Sequence, residues 1–291
     1  MDFTGFLGND AVKARLSGAF ASGRVAHSYL LCGPAGSGKH TLTRILSAAM
    51  QCEGRSGKIP CGICSGCRKA LEGVHPDIIT VDDPDHKAMT VDPIRAARSD
   101  MFIRPNEGKR KIYIIPRGQD MNESAQNALL KLFEEPPASA SFVICCDRRD
   151  ALLPTVLSRA LLIPLGPLDD RTLRAYLADR HRDAPADRLD AAVRFAQGSI
   201  GRAASFLTPA SQEASRAAAD FCALLFAKGG TFALAAQALP LSAKRDGFDA
   251  FLAFVELYLL DVLMPGVTGM EAAREILHRL ARENTAIIYL T

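Results

Sequence analysis

Residues 28–41 read Ser28-Tyr29-Leu30-Leu31-Cys32-Gly33-Pro34-Ala35-Gly36-Ser37-Gly38-Lys39-His40-Thr41, and this stretch decides the fold. An apolar, β-prone run enters a glycine-rich loop, and a helical pattern begins at the lysine. Glycines at 33, 36 and 38 let backbone N–H groups curl around phosphate oxygens, and the following helix N-terminus adds a favourable dipole. Lys39 would reach the outer phosphates of ATP, so Gly33, Gly36, Gly38, Lys39 and Thr41 form the candidate nucleotide cradle. The motif asks for Ser or Thr directly after the lysine, as a magnesium ligand. Here His40 stands in that place and Thr41 comes one residue late. An imidazole is a poor substitute for a hydroxyl at a hard cation. The loop is therefore degenerate, and both a filled and an empty cradle are compatible with these letters.

Working outward, short β-rich runs alternate with helical ones. Strands are expected at 28–32, 78–81, 111–115, 141–146 and 161–165, and helices near 39–50, 92–101 and 123–134. Such alternation implies βαβ units and a parallel five-stranded sheet flanked by helices. In the 123–134 segment, Asn122 is positioned as N-cap. Ala125, Ala128, Leu129, Leu132 and Phe133 share one face, and Pro136-Pro137 stops the helix. After Pro167 the β-pattern ends and short helices follow at 169–178, 186–196 and 199–207. The expected organisation is an α/β domain over 1–166, a small helical lid over 167–208 and an all-helical region over 209–291.

A hydrolysing phosphate-loop enzyme carries acidic residues at the end of the strand facing the loop, to hold the metal and polarise water. The corresponding run, Lys111-Ile112-Tyr113-Ile114-Ile115, leads into Pro116-Arg117. With His40, this is a second independent departure, and both point away from hydrolysis by the chain alone.

Cys52, Cys61, Cys64 and Cys67 are spaced C-x8-C-x2-C-x2-C, with Gly57, Pro60, Gly62 and Gly66 expected to supply turns. Four thiolates complete a tetrahedral zinc shell and leave no open position, so the expected metal is structural. Cys32, Cys145, Cys146 and Cys222 lie in apolar runs and read as buried hydrophobes. The beginning Met1-Asp2-Phe3-Thr4 carries no basic, apolar leader, which argues for a cytoplasmic location and against disulfides. A net charge of +3 is too small for a fully DNA-wrapped protein, and apolar runs such as 250–260 fall short of a membrane span.

Phosphate loop, cysteine cluster and defective strand end together resemble the clamp-loader subunits of bacterial DNA polymerase III, a family of the AAA+ class. Further segments are similar to it: residues 25–31 before the loop, His75-Pro76-Asp77, the run Asn127–Pro137, and Leu153–Ala160 around Ser158-Arg159. Gly198-Ser199-Ile200-Gly201-Arg202-Ala203 is similar to the family's second sensor helix, with Gly201 where an ATP-binding subunit carries arginine. The degenerate site is more similar to the delta prime branch than to the ATP-hydrolysing gamma/tau branch. The resemblance implies a stator-like subunit beside gamma/tau and delta, acting through the complex on a sliding clamp and primed DNA. It also implies that Arg159 reaches a neighbouring subunit's ATP as an arginine finger. Two alternatives stand beside this reading. One is an active gamma/tau-like ATPase. The other is a signalling role for residues 257–291, where Asp261 and Thr291 are similar to the phosphoacceptor and switch hydroxyl of a receiver domain. That tail lacks the acidic pair a receiver needs for magnesium.

Overall fold

In a computed structural model of the chain, the structure describes residues 1–54, 57–83, 88–134, 136–226, 251, 252, 254 and 255. The receiver-like tail and most of the region after Phe226 lie outside the described residues. The order is α1 (Asp10–Ala21), β1 (Ser28–Cys32), α2 (Lys39–Gln51), α3 (Ser65–Glu72), β2 (Ile78–Thr80), α4 (Val91–Asp100), β3 (Lys111–Ile115), α5 (Glu123–Glu134), β4 (Ala140–Cys146), α6 (Pro154–Leu157) and β5 (Leu161–Pro164). Then come α7 (Asp170–Arg180), α8 (Ala186–Ala196), α9 (Ile200–Phe206) and α10 (Pro209–Phe226).

The five strands form one parallel sheet in the order β2-β3-β4-β1-β5. Alternate side chains of each strand point to opposite faces, and both faces are covered, which explains the almost unbroken apolar runs. Leu30, Tyr113, Phe142 and Ile144 enter the core beneath α4 and α5, with the Tyr113 and Phe142 rings stacked at 5.3 Å. Tyr29, Leu31, Ile112 and Val143 enter the opposite core with Leu16 of α1 and Leu42 and Leu46 of α2. Lys111 and Tyr113 clamp α4 to β3 by donating to the two oxygens of Asp100, at 2.7 and 2.8 Å. Asn122 caps α5, its Oδ1 accepting from Ala125 N at 2.8 Å.

Two compact units result: Met1–Leu173 with Gly198–Gly201, and the segments from Arg174 to Gln197 and from Arg202 onward. The second holds an aromatic cluster in which Phe206 lies 5.1 Å from Phe195 and 4.8 Å from Phe254, while the Arg202 guanidinium sits 5.3 Å over the Phe195 ring. Among the described residues no helix is long and apolar enough to cross a membrane.

Candidate functional site

The phosphate loop links β1 to α2 along the carboxyl edge of the sheet. Its first glycine is required by close packing, since a Cβ at Gly33 would lie 2.6 Å from Leu165 O. Gly36 and Gly38 have φ of +76° and +89°, which side chains disfavour. Lys39 is only 5% exposed. Its ammonium donates to Gly33 O at 2.6 Å and Pro34 O at 2.8 Å, and it meets Asp147 Oδ1 at 2.7 Å. Asp147 directly follows β4, the strand paired with β1. The sequence reading missed this residue, although an acid immediately after a buried strand beside the loop strand is a signal. His40 and Thr41 both lie exposed on the first turn of α2.

The Gly198–Gly201 segment packs on the same loop. Ser199 Oγ donates to Ala35 O at 3.0 Å and Gly201 N to Gly36 O at 3.4 Å. A Cβ on Gly201 would stand 2.9 Å from Gly36 Cα, so no arginine fits here without moving the loop.

At the end of β3, Pro116 and Arg117 occupy the place of the metal-binding acids. The Arg117 guanidinium meets Asp82 at 3.0 Å and Asp120 at 3.3 Å. Two carboxylates near the strand end are thus tied to a cation, and Asp82 chiefly raises the arginine's already high pKa. Arg159 follows α6 at the edge of the domain. Its Nη1 donates to Thr155 O at 3.2 Å and its Nη2 lies 3.6 Å from Glu134 Oε1.

The cysteine cluster sits where α2 meets α3. The sulfurs of Cys52, Cys61, Cys64 and Cys67 all lie within 4.8 Å of one another. Tetrahedral zinc with Zn–S near 2.3 Å implies an S···S edge of roughly 3.8 Å, and Cys61 and Cys67 stand 3.8 Å apart. Backbone amides converge on the sulfurs: Gly54 N and Cys61 N on Cys52 at 3.3 Å, Cys64 N on Cys61 and Cys67 N on Cys64 at 3.4 Å. The Cys64 amide is the main cause that brings the Cys61 thiol down to about 6. Burial shifts the Cys67 thiol the other way, upward, so it is the four sulfurs' spacing and the converging N–H donors that fit the set to a zinc ion held by four cysteines. One expectation needs correcting. Gly66 lies inside α3 rather than in a turn, because α3 crosses the end of α2 so closely that a Cβ there would be 2.6 Å from Gln51 O.

A five-stranded parallel sheet with a glycine loop between β1 and α2 defines an AAA+ phosphate-loop domain. A RuvB variant from Thermotoga maritima shares the fold, with a TM-score of 0.51, 17% identity, and coverage of 94% of this chain and 83% of that one. The family model described as DNA polymerase III, delta subunit, matches residues 8–169, and the chain belongs to that family. It is similar to the gamma/tau subunit of DNA polymerase III from Mycobacterium tuberculosis, 33% identical over 178 residues, covering 60% of this chain and 30% of the relative. It is also similar to the delta' subunit from Yersinia pestis, 30% identical over 205 residues, covering 69% and 60%. The tau subunit from Escherichia coli is 30% identical over 207 residues, covering 70% and 32%. The chain thus spans about a third of the length of its gamma/tau and tau relatives.

Proposed function

We propose that the chain is a non-hydrolysing, stator-like subunit of the DNA polymerase III clamp loader, of the delta prime kind. It would work beside gamma/tau and delta subunits to place a sliding clamp on primed DNA. The observation that carries this reading is Arg117 at the end of β3, paired with Asp82 and Asp120. A cation there repels the magnesium ion that ATP hydrolysis requires, and neither neighbouring carboxylate is left without a cationic partner. His40 removes the ordinary hydroxyl ligand as well. Zinc bound by Cys52, Cys61, Cys64 and Cys67 would be structural. Arg159 would serve the ATP of the adjoining subunit.

The second reading, an active gamma/tau-like ATPase, is favoured by the 33% identity to a gamma/tau subunit. Steady-state ATPase assays on the purified chain separate the two. The expected result is no magnesium-dependent turnover above background. Turnover that Lys39→Ala abolishes would overturn the proposal in favour of the second reading.

A further inference from the structure

The lysine of a phosphate loop is useful because its ammonium has donors to spare for a ligand. An ammonium has three N–H groups and no acceptor. In this chain all three are engaged: Gly33 O at 2.6 Å, Pro34 O at 2.8 Å and Asp147 Oδ1 at 2.7 Å. The distances are those of charge-assisted bonds, and the ammonium is nearly fully buried, where such bonds gain strength. Asp147 retains 40% side-chain exposure, so its carboxylate stands at the mouth with the lysine behind it. It is also held in place, because its backbone N–H donates to Gln119 Oε1 at 3.2 Å. A phosphate group is an anion that would compete for the same donor.

We infer that Asp147 is a built-in counter-ion of the phosphate loop, an internal stand-in for the phosphate that closes Lys39 to nucleotide. The Gly36–Gly201 contact supports the same closed state. Both glycines are needed for an approach in which Gly201 N donates to Gly36 O, and this approach leaves no room for a side chain at position 201. Any nucleotide polyphosphate must therefore displace the carboxylate and face its charge. This inference concerns binding and stands on the loop geometry, whether or not the chain joins a loader.

The test is equilibrium titration of the full chain with a fluorescent ATP analogue and with tripolyphosphate, without magnesium. Asp147→Asn keeps the shape and removes the charge, and Asp147→Ser guards against loss of the fold in the first variant. Each should bind the polyphosphates roughly tenfold more tightly than the parent, the order expected from removing one like charge at the mouth beside the ligand. Adding Lys39→Met to either should cancel the gain. ATP should also raise the melting temperature of the Asp147 variants more than that of the parent. A parent chain that saturates with ATP at low micromolar concentration would overturn the inference without any variant. So would Asp147 variants that fold and bind no better than the parent. Neither outcome depends on whether ATP is hydrolysed, so failure here is distinct from failure of the proposed function.

Discussion

Arg159 keeps 40% of its side chain exposed, and its ion pair with Glu134 is long at 3.6 Å. A surface pair of that kind is worth about 0–1 kcal/mol, so turning the guanidinium toward another subunit costs little. If it serves as an arginine finger, Arg159→Ala should slow hydrolysis at the adjoining site of a reconstituted loader on the order of 10³-fold. Folding and metal content should stay unchanged. Arg159→Lys should fail to rescue, because an ammonium lacks the planar fork. Stimulated ATPase at the parental rate in the Ala variant would reduce Arg159 to a surface charge. At this scale Arg159, Lys39 and Pro116-Arg117 could be singled out from the sequence, since each has a place in a local motif. Asp147 showed only as an acid after an apolar run, because its meeting with Lys39 depends on β4 pairing with β1.

The cysteine module joins two elements. Cys52 ends α2, while Cys64 caps α3 by accepting from Cys67 N at 3.4 Å. Metal would thus tie the end of one helix to the start of another. Cys64→Ser should forfeit much of a binding free energy that is on the order of 10 kcal/mol in small zinc modules. Elemental analysis of the parent should give one zinc per chain, and the variant should fall well below that. Hydrogen exchange should rise in α3, while the sheet, with its own cores on both faces, stays protected. Parent protein lacking zinc with all four thiols reduced would refute the assignment. The spacing of the cysteines was legible in the sequence, but the helix was not, because glycine and cysteine at 64–67 read as a turn. α1 was missed as well. Only Leu16 of that helix is buried, so its sequence carries little of the apolar stripe that announces a surface helix.

Stability of the α/β domain against acid rests partly on a buried knot below β2. Asp77 is fully buried and accepts from Asn106 N, Asn106 Nδ2, Glu107 N and Gly108 N at 2.6, 3.1, 3.0 and 2.7 Å. Burial opposes its charge, yet these donors outweigh burial and hold the carboxyl below the usual range. Neighbouring His75 accepts from Asp77 N at 3.1 Å through Nδ1, which requires the neutral ring, and burial holds its pKa below the ordinary value. Both groups bind protons more weakly folded than unfolded. Their contributions are therefore present above the unfolded values, about 6.5 for His and 3.9 for Asp, and are lost as pH falls below each. Urea midpoints should decline in two stages from pH 7 to pH 3. Asp77→Asn turns an amide group toward N–H donors and should cost about 3 kcal/mol at pH 7. It should also flatten the limb below about pH 4. A variant whose pH profile runs parallel to the parent's would show that Asp77 is not responsible.

By itself the sequence determined the strands, the helix over 123–134, the phosphate loop and the cysteine spacing. Each of these is written in residues a few positions apart, where periodicity and turn chemistry act. Only the tertiary structure decided what the loop meets. Parallel pairing of β4 beside β1 carries Asp147 to Lys39, and the return of Gly198–Gly201 sets one glycine against another at Gly36. Those contacts join segments far apart in the chain, and a charge shows its partner only after the strand order has brought the two together.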